Sequence, residues 1–261
     1  MNIKNLLVIN LICAFSVQAQ NNDRLKLPIE DEFSGSITSS FLSEYLAKPG
    51  FSLYDKAVSQ NEIVGAYHGL YLGLWSSTGL VKSQTTPYNQ EFQTYLGIKR
   101  QVGWISLDGN IRYDFLKDLS LIKDDLWMAD MRLDLNRMPV IQPYIATRYF
   151  QSIGLKNLSS GWFVWFGARH SQDLGFGFTR AGHAQFITDA SVAHSDGALS
   201  REPGWIYSRI LTRISVPLTR NLSIAPELTT QIPLDEQGKR YHPYTDGKVD
   251  LVGGVSMTLK F

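Results

Sequence analysis

From Lys248 to Phe261 the chain alternates without a break. Val249, Leu251, Gly253, Val255, Met257, Leu259 and Phe261 fall on one side, Lys248, Asp250, Val252, Gly254, Ser256, Thr258 and Lys260 on the other. A period of two is the signature of a strand with one apolar and one largely polar face. The same pattern recurs along the chain and predicts strands near 33–46, 60–68, 70–77, 90–100, 103–115, 125–137, 141–150, 161–170, 175–189, 203–218, 222–233 and 248–261. In the fifth, Ile105, Leu107, Ile111, Tyr113 and Phe115 oppose Ser106, Asp108, Asn110 and Arg112; in the sixth, Trp127, Ala129, Met131, Leu133 and Leu135 oppose Asp130, Arg132, Asp134 and Asn136. The tenth sets Ile206, Ile210, Ile214, Val216 and Leu218 against Tyr207, Arg209 and Arg213, and the eleventh sets Leu222, Ile224, Leu228 and Ile232 against Ser223, Glu227 and Gln231.

The connections alternate as well. Gly69, Gln101–Val102, Met138–Val140, Ser171–Leu174 and Thr219–Asn221 are tight, whereas 47–59, 78–89, 116–124, 151–160, 190–202 and 234–247 are long. Short turns at one end and long loops at the other are the habit of one-chain barrels in the bacterial outer membrane. Lipid offers no partner to a free strand edge, so such a sheet must close on itself. The expected fold class is therefore all-β, a transmembrane antiparallel up-and-down β-barrel of twelve strands. Trp75, Trp127, Trp162 and Trp205 fall at predicted outer strand ends and Trp104 beside an inner turn, positions expected for interfacial aromatic belts. A soluble secreted barrel or sandwich, whose strands also alternate, is the competing reading.

The other end of the chain fits export. Lys4 precedes an apolar stretch from Leu6 to Val17, and Val17-Gln18-Ala19 offers small residues for signal-peptide cleavage before Gln20. The run is shorter than the about 20 apolar residues of a spanning helix. The expected organisation is a cleaved leader over 1–19, a periplasmic segment over 20–32 and the barrel over 33–261. Cys13, the single cysteine, leaves with the leader, which excludes a disulfide framework or a thiolate metal site in the mature chain. Losing Lys4 also brings 25 basic against 24 acidic residues to balance, so no basic surface argues for nucleic acid.

By parity, Arg112, Arg132, Arg148, Arg169, Arg209, Arg213, Lys248 and Lys260 face the interior with Glu62, Asp108, Asp130, Asp134, Glu227 and Asp250. Ten of these are the candidate pore-lining residues: Arg112, Arg132, Arg148, Arg169, Arg209, Arg213, Asp108, Asp130, Asp134 and Glu227. A mixed lining predicts cross-strand ion pairs and at most a weak preference for anions. The same charges can instead interlock into a polar core that closes the bore, because interior width grows with strand number. Arg180 has a parity that would place it towards lipid, and a bulge near Gly182 would turn it inward.

Enzymatic and metal chemistry find weak footing. A serine–histidine dyad needs both groups on one face, but His170-Ser171 and His194-Ser195 are adjacent and so oppose each other within a strand. His170 is expected at an inner turn, and His194-Ser195-Asp196 in an outer loop, where irregular backbone leaves lipid hydrolysis open. His183, Asp189, His194 and Asp196 match no tight zinc spacing, and Gly175-Phe176-Gly177 precedes no helix that would make it a phosphate cradle. No catalytic residue, cofactor or metal is assigned.

Ser43-Glu44-Tyr45, then Gly50, Ser52, Asp55, Ala57-Val58 and Gln60, and His68-Gly69-Leu70-Tyr71-Leu72-Gly73-Leu74-Trp75-Ser76-Ser77 resemble the N-terminal signature of the TorF-type porin family. Glu44 stands where that family usually has Asp, and Pro49 where an Arg usually precedes the glycine. The resemblance covers about residues 40–78 and implies an exported outer-membrane pore. Expected partners are outer-membrane lipid and lipopolysaccharide, the barrel assembly machinery through the strand ending in Phe261, and small hydrophilic solutes, with a monomer as the default. The alternatives are a closed structural or surface-binding barrel whose outer loop 234–247 makes the contacts and, behind it, a lipid hydrolase.

Overall fold

The computed structural model describes residues 33–46, 52–81, 90–115, 125–136, 140–153, 159–176, 182–198, 203–234 and 249–261. The leader at 1–19, the segment 20–32, Arg180, Lys248 and most of loop 234–247 lie outside the described residues. In chain order the strands are β1 (Ser34–Leu42), β2 (Tyr45–Leu46), β3 (Ser52–Tyr54), β4 (Val58–Tyr67), β5 (Leu70–Gly79), β6 (Gln90–Val102) and β7 (Ile105–Phe115). They continue with β8 (Asp125–Leu135), β9 (Gln142–Ile153), β10 (Gly161–Asp173), β11 (Gln185–Ser195), β12 (Gly204–Pro217), β13 (Leu222–Pro233) and β14 (Asp250–Lys260). β1 and β4 to β14 form one closed antiparallel barrel of twelve strands, and β2 and β3 form a separate two-stranded hairpin. Among the described residues no helix is long and apolar enough to cross a membrane.

The seam is where the C-terminal pattern matters. β14 pairs with β1 from Ser36↔Lys260 to Leu42↔Gly254. Beyond the last pair, Gly35 and Phe261 exchange backbone bonds of 2.9 and 3.1 Å, and the Phe33 and Phe261 rings lie 6.3 Å apart. Closure leaves neither β1 nor β14 as an open edge, which satisfies the backbone groups that lipid cannot. One ladder has a lapse: β12 and β13 pair at Arg213↔Glu227 and again at Val216↔Ile224, and between them Pro226 has no N–H to donate.

The alternation maps onto the two faces as expected. Ile63, Leu72, Leu96, Ile111, Met131, Phe166, Ile210, Leu228, Leu251 and Met257 are all exposed on the outside, while the polar positions of the same strands are buried within. Around the end bearing the long connections, Trp127, Tyr149 and Trp162 form a chain of ring contacts at 6.0 and 5.1 Å, and Phe166 meets Trp205 at 6.0 Å. Trp104, beside a tight turn, is exposed at the other end. An arginine at Ile111, in the middle of β7, should therefore cost about 2–4 kcal/mol of folding free energy in lipid vesicles. Urea titration of the refolded protein measures it, and an unchanged midpoint would mean that this face does not meet hydrocarbon.

Four expectations are corrected. Trp75 belongs to no outer belt: it is 1% exposed, because it shares the inward parity of Tyr71 on β5. The strand expected at 175–189 is found over Gln185–Ser195, residues 177–181 lie outside the described residues, and Gly182, at φ 133°, precedes the strand and is not a bulge within it. His170 accordingly lies within β10, and His194 and Ser195 end β11 rather than occupying a loop. Ile206, expected outward, is buried beside Tyr207, because the register slips from Ala193↔Tyr207 to His194↔Trp205. That extra residue on β12 is a β-bulge, and it turns Trp205 outward although Tyr207, two residues on, points in.

Candidate functional site in the barrel interior

All ten candidate pore-lining residues belong to the inward face. Arg112, Arg132, Arg148, Arg169, Arg209, Arg213, Asp130 and Glu227 are buried, and Asp108 and Asp134 are half-buried. They do not line one open bore. On the side of β7 to β9, Asp130 accepts from Arg148 Nε at 2.6 Å and Nη2 at 2.8 Å, and from Arg112 Nε at 2.8 Å. The register explains the cluster: Asp130 stands directly opposite Asn110 on β7 and Arg148 on β9. Asn110 accepts a further bond from Arg112 Nε at 2.8 Å. Lower in the barrel, Arg132 bonds Asp134 at 2.6 Å and lies 3.8 Å from the Tyr144 ring centre. Arg169 approaches Asp189 at 3.7 Å, and Arg209 donates to Gln231 at 3.0 Å.

A three-part device recurs along this wall. A tyrosine on one strand lies across a glycine on the next and donates to a carboxylate on the strand beyond. Tyr95 of β6 covers Gly73 of β5 and bonds Glu62 of β4 at 2.6 Å. Tyr71 of β5 covers Gly97 of β6 and bonds Asp108 of β7. Tyr144 of β9 covers Gly167 of β10 and bonds Asp189 of β11 at 2.6 Å. Each glycine is the direct cross-strand partner of its tyrosine. The missing side chain is what lets the ring lie flat on the wall instead of projecting into the lumen. A Cβ on Gly73 would stand 2.0 Å from Tyr95 Cζ. Gly73→Val should therefore displace the ring, break its bond to Glu62 and cost about 1–3 kcal/mol; a urea midpoint equal to the parent's would refute the strap.

Above the ion cluster the wall carries an apolar patch. Leu126, Met128, Phe150, Phe163 and Trp165 are buried on β8, β9 and β10, and Trp165 Nε1 donates to Tyr207 Oη at 2.8 Å. Into the same end folds the β2–β3 hairpin. The Tyr45 ring sits 5.9 Å from Trp75 and its hydroxyl donates to Glu91 at 2.9 Å; Tyr54 Oη donates to the Val81 carbonyl at 2.6 Å. Tyr45, Leu46 and Tyr54 are thus inward, where Tyr54 is expected in an outer loop over 47–59; residues 47–51 of that loop lie outside the described residues. Space remains on the other side of the lumen. A cavity of about 60 Å³, partly open to solvent, is bounded by Leu42, Glu44 and Leu46, by Gln60, Tyr144, Asp189 and Ser191, and by Tyr207, Arg209, Leu211, Glu227, Thr229 and Val252 from β12 to β14.

Sequence reasoning missed Glu91, Gln93, Asp114, Tyr144 and Asp189, all buried here. Their signal was present: each shares inward parity with residues such as Tyr95, Arg112, Arg148 and Ile187 on its own strand. His194 and Ser195 do point apart, since the His194 ring packs 5.2 Å from the outward Trp205 while Ser195 is fully buried. Among the described residues no group of three or more His, Cys, Asp or Glu is placed to hold a metal ion.

A closed twelve-strand barrel with an apolar exterior and a charged interior is the architecture of the outer-membrane channel class. The fold is similar to that of the KdgM porin, with TM-score 0.54 and 8% identity over 87% of this chain and 99% of that one. The NanC porin superposes at TM-score 0.53 and 9% identity, covering 87% and 100%. The COG4313 outer membrane channel from Pseudomonas putida F1 does so at 0.51 and 8%, covering 92% and 98%. No family model matches the chain, and no curated protein sequence does.

Proposed function

We propose that this chain is an outer-membrane channel that passes small hydrophilic solutes by diffusion, through the side of the lumen that the hairpin and the ion cluster leave open. The observation that carries the reading is a cavity of about 60 Å³, open towards solvent and bordered by Glu44, Asp189, Arg209 and Glu227 among apolar neighbours, within a barrel whose outer face is apolar. The ten inward residues named above divide the work. Arg112, Arg148 and Asp130 brace the packed wall, and Arg209 and Glu227 border the passage. A structure of the KdgM porin contains disordered oligogalacturonate, a hydrophilic solute in a barrel of the same fold.

The finer reading is a TorF-type porin, supported by the motif from Ser43 to Ser77. Outer-membrane lipid and lipopolysaccharide surround it, the assembly machinery engages the strand ending in Phe261, and each barrel closes within one chain. No enzymatic role is assigned, since His194 and Ser195 face opposite sides of the wall.

One observation favours a second reading, a closed structural or surface-binding barrel: most of the interior on the side of β5 to β10 is filled. Planar bilayers separate the two. Purified, heat-modifiable protein should give stepwise conductance; folded protein that inserts and stays silent would overturn the channel.

A further inference from the structure

The apolar cover of the outer face is interrupted on the side of β1, β4 and β5. Ser39, Asn61 and Ser76 stand directly opposite one another in the register of these strands, and all three share outward parity. Exposed apolar side chains flank the row: Ser39 lies between Ile37 and Phe41 in the alternation, Asn61 next to Ile63, and Ser76 next to Leu74. The row therefore lies inside the band that meets hydrocarbon.

A serine or threonine hydroxyl on such a face can bond back to nearby backbone, but a carboxamide carries two N–H donors and an acceptor that cannot all be met that way. Asn61 Oδ1 accepts from Ser39 Oγ at 2.8 Å, whereas its Nδ2 makes only a long contact of 3.5 Å with Ser59 Oγ. Lipid tails supply no acceptor, so a bare Asn61 leaves a donor unmet where that costs most. A second copy of the same surface meets the need. Across a two-fold axis each Asn61 amide donates to the Oδ1 of its mate and receives the same bond in return, the self-complementarity that an isologous contact requires. Ser39, Ser59 and Ser76 around it are small, which lets two sheets approach closely.

We infer that two complete barrels pair through the face of β1, β4 and β5, with Asn61 at the two-fold axis as the residue that joins them. The pairing goes beyond the channel reading, does not depend on it, and replaces the monomer expected from size alone.

The test is energy transfer between copies of the full mature chain labelled with donor and with acceptor dyes, refolded together in lipid vesicles and diluted with added lipid. Transfer in the parent should persist where chance encounters no longer produce it, and Asn61→Leu, which keeps the face apolar, should lose it at about tenfold less dilution. The gel shift between folded and boiled protein shows that each barrel is intact. Under oxidation, Asn61→Cys should form a cross-linked dimer, and Phe166→Cys, on β10 at the opposite wall, should not. Transfer at chance level in the parent, as lipid alone on this face would give, overturns the pairing. So does an Asn61→Leu variant that pairs as tightly as the parent, or equal cross-linking at both positions. Silent barrels that pair overturn the channel and leave the pairing in place.

Discussion

Asp130→Ala is expected to cost about 3–5 kcal/mol, because it strips the shared partner from two buried guanidiniums at once. Arg112 and Arg148 are 1% and 0% exposed and reach Asp130 at 2.8 and 2.6 Å, so no solvent takes the lost role. The three residues also tie β7, β8 and β9 together on their inner face, while only backbone ladders and lipid contacts hold them outside. The measurement is the urea midpoint of the barrel refolded in lipid vesicles, together with the gel shift between folded and boiled protein. Asp130→Asn separates charge from shape: it keeps an acceptor in place and should recover only part of the loss. A change below about 1 kcal/mol for Asp130→Ala would mean that water reaches the cluster and screens it.

The second large effect is expected at Tyr45. Its ring is 4% exposed against Trp75, its hydroxyl bonds Glu91, and the hairpin it anchors has only two short strands to hold it in the lumen. Truncating a buried aromatic costs about 3–5 kcal/mol, more than so small a hairpin recovers from its own backbone bonds. Tyr45→Ala should release the β2–β3 hairpin from the interior, raise the unit conductance and make Trp75 accessible to an aqueous quencher. The barrel itself should stay folded, since Tyr45 belongs to none of its twelve strands. Unaltered conductance with Trp75 still shielded would show that other contacts fix the hairpin.

Much of the barrel was legible from the residues because a strand that divides lipid from a polar interior must alternate. β7, β8, β13 and β14 show this most clearly, with the predicted faces found on the predicted sides. Where alternation was interrupted, the reading slipped. Ile206 and Tyr207 are both buried because a bulge inserts one residue, and parity cannot see where a count is broken. Gly175 and Phe176 belong to a strand-like alternation in the residues, yet they lie between β10 and β11, which begins at Gln185. Trp75 has the residue type of an interfacial belt, but its parity with Tyr71 places it inside.

The sequence by itself determined the closed barrel, its strand number and much of the inward set of charges, since periodicity and turn length are local properties. Which charges brace a wall and which border a passage was decided only in three dimensions. Asp130 meets Arg112 and Arg148 through register, Tyr144 reaches Asp189 across two strands over a glycine, and the hairpin around Tyr45 folds inward to contacts far away in the chain. Those pairings depend on register and on packing between strands, which no local pattern of residues encodes.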